Sequence, residues 1–109
     1  MLLCSLPIRN AHAVNPETLL MPGKLSAAHA KYEESCSECH DRADRSRQSG
    51  LCLACHKAVA ADVTSHHGFH GRIPGIAAAA CSACHTEHKG READIVKMSR
   101  PQFDHSLTD

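Results

Sequence analysis

Three copies of one short pattern constrain this chain more than any other feature: Cys36-Ser-Glu-Cys39-His40, Cys52-Leu-Ala-Cys55-His56 and Cys81-Ser-Ala-Cys84-His85. In C-x-x-C-H, the two intervening residues set the sulfurs about one helical turn apart. That spacing matches the two vinyl groups of haem, across which thiols add to form thioether bonds. The adjacent His then reaches beneath the ring and gives its imidazole to iron. Cys36, Cys39, Cys52, Cys55, Cys81 and Cys84 are therefore expected to attach three c-type haems, with His40, His56 and His85 as proximal iron ligands. The motifs start 16 and then 29 residues apart, which excludes a regular solenoid and suits a chain wrapped around separate bulky groups.

Structural zinc is the main competing reading of the cysteines. Cys36, Cys39, Cys52 and Cys55 have the C-x2-C…C-x2-C form of a zinc ribbon. Zinc has no need of a His after each second Cys, and chance would rarely place one after all three pairs. A thioredoxin-like dithiol expects a βαβ setting that is missing here. Disulfides alone would not need the histidines.

Composition agrees with a cofactor in the interior. At 109 residues the chain makes one small domain, and it has no Trp, one Tyr (Tyr32) and two Phe (Phe69 and Phe103). Much of its apolar content is alanine, as at Ala77 to Ala80, which buries little area. Domains this small need a staple such as a disulfide, metal or cofactor. Acidic and basic residues balance at 12 each with no long basic run, so nucleic-acid binding has no support.

The expected fold is mainly α with extensive loops: short helices wrapped around a covalently bound haem core, with little or no β-sheet. Ser26 is expected to cap a helix over residues 27–34. Ser35 and Glu38 match a capping box that starts a second helix through the first motif, extended by the i,i+4 pairs Glu38–Arg42 and Asp41–Arg45. Gly50 precedes a helix over residues 51–63, residues 64–76 read as a loop, and an Ala-rich helix leads into the third motif. Residues 1–13 read as the remnant of a secretory signal peptide, with Ala11-His12-Ala13 as the cleavage site, leaving residues 14–109 as a trihaem domain. Cys4 falls in that segment and has no assigned role. No run of apolar residues is long enough to span a membrane.

Seven histidines lie outside the motifs: His12, His29, His66, His67, His70, His88 and His105. His29, seven residues before Cys36, is a candidate distal ligand. His88 lies one turn from His85, so the two cannot easily grip opposite faces of one ring, and His88 is expected to serve a different haem. The loop bearing His66, His67 and His70 should supply another ligand, His70 ahead of His67. His105 completes the set, with Asp104 a charge near the site. Met98 is the competing thioether, and Met21 lies in the lead segment. Histidine supply exceeds demand, so bis-His coordination at all three irons is expected, and with it low potentials.

With these residues in hand, the chain resembles the small class III multihaem c-type cytochromes and their longer relatives. The resemblance rests on the three C-x-x-C-H units, His29, Gly68-Phe69-His70-Gly71, Cys84-His85-Thr-Glu-His88-Lys-Gly90 and Phe103-Asp-His105. It implies bis-His ligation. In that family Phe-Asp-His often precedes a further haem motif, so the sequence reads as a piece of a longer cytochrome, and His105 serves either a haem beyond it or one within.

The function expected is electron transfer. The alternatives are a multihaem reductase with one open-coordination catalytic haem and a zinc-binding module. Expected partners are redox proteins, either other cytochromes or a quinone-linked complex. Haem propionates would make the loaded protein acidic and favour basic docking patches. Covalent haem attachment occurs outside the bacterial cytoplasmic membrane, which places the protein in the periplasm or at the cell surface.

Overall fold

The computed structural model describes residues 16–96, 101 and 103–108. The segment at residues 1–13 expected to be a signal remnant, with Cys4 and His12, and the alternative ligand Met98 lie outside the described residues. The architecture is helical and loop-rich. Three α-helices, α1 (Gln48–Cys55), α2 (Lys57–Ser65) and α3 (Gly68–Arg72), follow one another between short 3-10 turns. Among the described residues there is no strand, only one isolated antiparallel bridge between His85 and Val96.

The helices are shorter than the sequence pattern predicts, and each difference has a local cause. Ser26 does not cap the turn that follows it. Its hydroxyl and amide both donate to Glu87, and residues Ala27–Tyr32 form a 3-10 helix. The capping box at Ser35 is likewise unmade, and the first motif holds only the 3-10 turn Cys36–Glu38. Asp41 accepts from the amides of Ala43 and Asp44, a turn that competes with helix. Arg47 then pairs with Asp41 at 2.8 Å, and Arg42 pairs with Glu17. The expected helical pairs Glu38–Arg42 and Asp41–Arg45 therefore do not organise this segment.

The helix expected over residues 51–63 starts earlier, runs through Gly50 and breaks at His56 (φ −84°, ψ 66°). His56 ends α1 and begins α2, so its side chain leaves the helical register. The expected loop at 64–76 contains α3. His66, in the left-handed region at φ 58°, ends α2, and the His67 amide returns to the Asp62 carbonyl at 3.2 Å. Gly71 lies directly under that carbonyl, where a Cβ would collide, so α3 folds tightly back on α2. The Ala-rich helix is replaced by the turn Ile76–Ala78 and two extended residues, Ala79 and Ala80. A run this short nucleates helix poorly, and its extended course brings the Cys81 amide to the Ser49 hydroxyl at 3.1 Å.

The side-chain core is nearly absent. Among the described residues, Leu25 and Ser26 are the buried hydrophobic and polar side chains, and no large side chain is fully buried. A polar clasp does part of the work instead. The Gly90 amide donates to Lys24 O at 2.9 Å and the Ala27 amide to Arg91 O at 3.1 Å. Arg91 donates to Leu25 O at 2.6 Å and forms a two-pronged ion pair with Glu33. The Arg91 guanidinium holds the Glu33 carboxyl below its ordinary range.

Two outcomes follow from a fold tied together this way. Replacing all six motif cysteines with Ser should leave a chain with no cooperative melting transition by circular dichroism, because Leu25 and Ser26 cannot carry a core. In the cofactor-loaded protein, Glu33→Gln should lower the melting temperature by a few degrees near neutral pH. A lowered carboxyl stabilises the fold above its ordinary value and loses that contribution as pH falls through the lowered one. The gap between variant and parent should therefore close below about pH 4, which thermal melts across pH would show.

Candidate functional site

Each motif closes the same hydrogen-bonded ring. The amides of His40, His56 and His85 donate to the carbonyls of Cys36, Cys52 and Cys81 at 2.8, 2.9 and 2.9 Å. One five-residue turn thus recurs whether its neighbours are α-helical, as in the second motif, or 3-10, as in the first and third. It fixes the two sulfurs and the imidazole as one unit. All six cysteines are free thiols, partly buried or exposed. Burial first, then the neighbouring Glu87 and Cys55, pushes the Cys39 thiol up, and burial with Cys81 does the same to Cys52. Among the described residues no three His, Cys, Asp or Glu side chains converge as metal ligands, so the four thiols of the zinc-ribbon reading do not come together.

The motif histidines each face a second imidazole. His40 faces His88 with ring centres 6.1 Å apart, His85 faces His70 at 6.2 Å, and His56 faces His29 at 6.0 Å. An imidazole nitrogen sits about 2 Å from a bound transition metal and about 1 Å from its own ring centre, so two imidazoles holding one metal from opposite sides have centres about 6 Å apart. All three separations meet that value. The ring planes lie at 23° for His40–His88, 25° for His70–His85 and 83° for His29–His56.

The clasp places two of these opposed rings. His29 stands on the 3-10 helix Ala27–Tyr32, and its Nδ1 meets Glu87 Oε1 at 2.5 Å. His88 Nδ1 donates to Gly23 O at 2.8 Å. His88 holds φ 65°, a left-handed backbone rarely adopted by residues other than glycine. Gly23 lies so close under the His88 carbonyl that any Cβ there would collide with it. With Nδ1 engaged in both cases, Nε2 is the ring nitrogen left to bind a metal. Such a second contact fixes ring orientation and raises ligand basicity. Burial, then the neighbouring His70 and His56, lowers the His85 pKa and keeps its ring neutral, the form that binds metal.

Burial pushes the Glu87 carboxyl up, but hydrogen bonds from the Ser26 hydroxyl and amide and from His29 outweigh it and hold the pKa at about 2. Glu87 is a site residue that the sequence reading missed. Its signal was its place between His85 and His88 in His85-Thr86-Glu87-His88.

His70 stands on α3, against which residues 103–105 dock: Phe103 stacks on Phe69 at 4.9 Å, and His105 meets Phe103 edge-on at 4.8 Å. Among the described residues neither His105 nor His67 faces another imidazole. Asp104 is occupied as the cap of the turn His105–Leu107, accepting from Ser106.

The motifs lie close together. The Cys52 thiol is hydrogen-bonded to Cys81 and also within electrostatic reach of Cys39, so the second motif sits between the other two. A groove of about 330 Å³ runs past His40, lined by Ser37, Asp41, Arg42 and Leu51. Among the described residues Thr86 Oγ1 is buried without a hydrogen-bond partner, an orphaned polar atom that fits a site completed by a polar-edged group. Free thiol pairs, opposed imidazoles at metal-spanning separation and a nearly missing apolar core all fit haem.

The sequence profile described as the class III cytochrome C family matches residues 10–105. No curated protein and no solved structure matches the chain.

The Gly23 contact gives a test of the paired geometry. Gly23→Val should displace the His88 backbone and open one iron to carbon monoxide in the reduced holoprotein, and His88→Ala should do the same. Optical carbon monoxide difference spectra should show one binding equivalent in either variant and none in the parent.

Proposed function

We propose, from the premise that this chain belongs to the class III cytochrome c family, that it is an electron-transfer protein carrying three covalently attached haems, each iron held between two histidines. The family carries haem c and transfers electrons. The number of haems and their ligands are the reading advanced for this chain. One observation carries it: three motif histidines, three opposed histidines, and ring separations of 6.0, 6.1 and 6.2 Å.

On this reading Cys36 and Cys39 hold the first haem, with His40 proximal and His88 distal. Cys52 and Cys55 hold the second, with His56 and His29, and Cys81 and Cys84 hold the third, with His85 and His70. Haem bound in this way supplies a one-electron ferric–ferrous couple. The protein supplies the rest. Two imidazoles per iron would leave no open coordination position, which favours a carrier over a reductase. Imidazole in place of a thioether keeps the potentials low. The Cys52 thiol lies against Cys81 and within reach of Cys39, so haems attached at the three motifs would lie close together and could pass an electron between them.

Each distal ligand comes from a segment other than its own motif. Haem attachment thereby ties residues 23–33, 68–72 and 85–91 together, and binding free energy becomes folding free energy. His105 stands outside the three pairs and has no iron within this reading, as does His67.

Partners are redox proteins, other cytochromes or a quinone-linked complex, that dock where a haem edge meets solvent. Among the described residues no helix is long and apolar enough to cross a membrane. Export to the periplasm or the cell surface follows from the chemistry of covalent haem attachment.

Intact mass with a pyridine haemochrome assay tests the count. Three haems per chain are expected, with low midpoint potentials in optical redox titration and no carbon monoxide binding by the reduced parent. A mass equal to that of the bare polypeptide would overturn the reading.

A further inference from the structure

We propose that Glu87 is the positioning residue of the second haem: it grips the distal ligand His29, sets its ring across that of His56, and biases this one iron of the three toward the oxidised state. The inference rests on the bis-His reading above and adds to it a residue that touches no iron.

The geometry is specific to one pair. Glu87 Oε1 lies 2.5 Å from His29 Nδ1. The same oxygen accepts from the Ser26 hydroxyl at 2.6 Å, and the other accepts from the Ser26 amide at 2.8 Å. The carboxylate is therefore held from three directions, so it can hold the imidazole in turn. By contrast, the Nδ1 of His88 meets a neutral backbone carbonyl, Gly23 O. A carboxylate on Nδ1 gives the ring more anionic character than a carbonyl does, which makes it a stronger donor to iron and favours the higher charge state. His29 and His56 are also the crossed pair, at 83°, while the other two pairs lie within 25° of parallel. Crossed imidazole planes leave the two iron d orbitals that overlap with the rings nearly equal in energy. Parallel planes split them. The second haem should thus differ from its neighbours in both spectrum and potential.

The placement of Glu87 adds a further point. His85 faces His70, Glu87 holds the ring that faces His56, and His88 faces His40. Residues 85–88 thus address all three haems in a single turn of chain. Glu87 also lies within electrostatic reach of Cys39 of the first motif.

The test uses the oxidised and reduced holoprotein with its haem count verified by intact mass. The parent should show two ordinary low-spin signals and one strongly anisotropic signal in low-temperature electron paramagnetic resonance. Glu87→Gln keeps an acceptor for His29 but removes the charge. It should raise one midpoint potential, changing that haem's oxidised-to-reduced ratio about tenfold at fixed potential, or about 59 mV for one electron, and leave the other two in place. Glu87→Ala should in addition move the anisotropic signal alone. Glu33→Gln, which breaks the same clasp without touching an imidazole, should change melting temperature but neither readout.

Unchanged potentials and an unchanged anisotropic signal in a three-haem Glu87→Gln protein would overturn the role of Glu87 and leave the bis-His reading standing. A parent with fewer than three haems, or with an open iron, would instead overturn the bis-His reading itself. If Glu87→Ala fails to mature, Glu87→Gln alone decides.

Discussion

Three opposed imidazole pairs, with ring centres 6.0, 6.1 and 6.2 Å apart, set how this chain can be folded. Each pair joins two places distant in sequence: 29 to 56, 40 to 88 and 70 to 85. The 29–56 and 40–88 links interleave, and the 70–85 link is nested inside 40–88, so closing either of the other two shortens the loop that the longest link must close. A chain with Leu25 and Ser26 as its buried side chains has little else to specify a compact state. The hydrophobic term that normally offsets conformational entropy must come from the faces of the bound group. This explains why secondary structure is so fragmentary. Helices need only be long enough to present a motif or a ligand, and none has to bury an apolar stripe.

The polar clasp between residues 23–33 and 87–91 is the protein's own contribution to that arrangement. It joins Lys24 to Gly90, Leu25 and Glu33 to Arg91, Ser26 and His29 to Glu87, and Gly23 to His88. Each contact alone is modest, because partly exposed ion pairs and hydrogen bonds contribute little. Their value here lies in direction. Two of the contacts that join the segments, Glu87 to His29 and Gly23 to His88, also occupy Nδ1 of those rings. Cohesion of the fold and placement of these two imidazoles therefore overlap at those contacts. This is why Gly23, which is no ligand, and the left-handed backbone of His88 occur where they do.

The sequence made the attachment sites legible because C-x-x-C-H is a local pattern whose chemistry is complete within five residues. The structure shows the same i,i+4 turn in all three copies. It also excluded one pairing, since His85 and His88 are too close in sequence to oppose each other. Which imidazole faces which was illegible, because the partners are 27, 48 and 15 residues apart and depend on the clasp. Helix signals misled for a related reason. Ser26 and Ser35 carry the right residue types for caps and Asp41 the right spacing for an i,i+4 pair with Arg45, yet Ser26 donates to a carboxylate 61 residues away and Asp41 turns the chain on itself. Local propensity is a weak prior, and where a large bound group sets the spacing, tertiary demands override it. Glu87 escaped notice because a carboxylate between two histidines of one motif looks like a solvated charge until Ser26 and His29 are seen around it.

The second motif holds the middle position in this scheme, and several independent features meet there. Its thiol Cys52 lies against Cys81 and within reach of Cys39. Its proximal His56 sits at the break between α1 and α2, while its opposed ring is the one gripped by a carboxylate and set crosswise. A carrier with three identical centres would let an electron rest at any of them. Placing a negative charge against the middle ligand raises the energy of the electron there relative to the two ends, by an amount that the partly buried surroundings of Glu87 screen less than water would. On the proposed role of Glu87, an electron would then favour the first and third haems over the second. That asymmetry comes from one side chain held by the hydroxyl and amide of Ser26 and by His29 Nδ1, on a polypeptide with almost no core of its own.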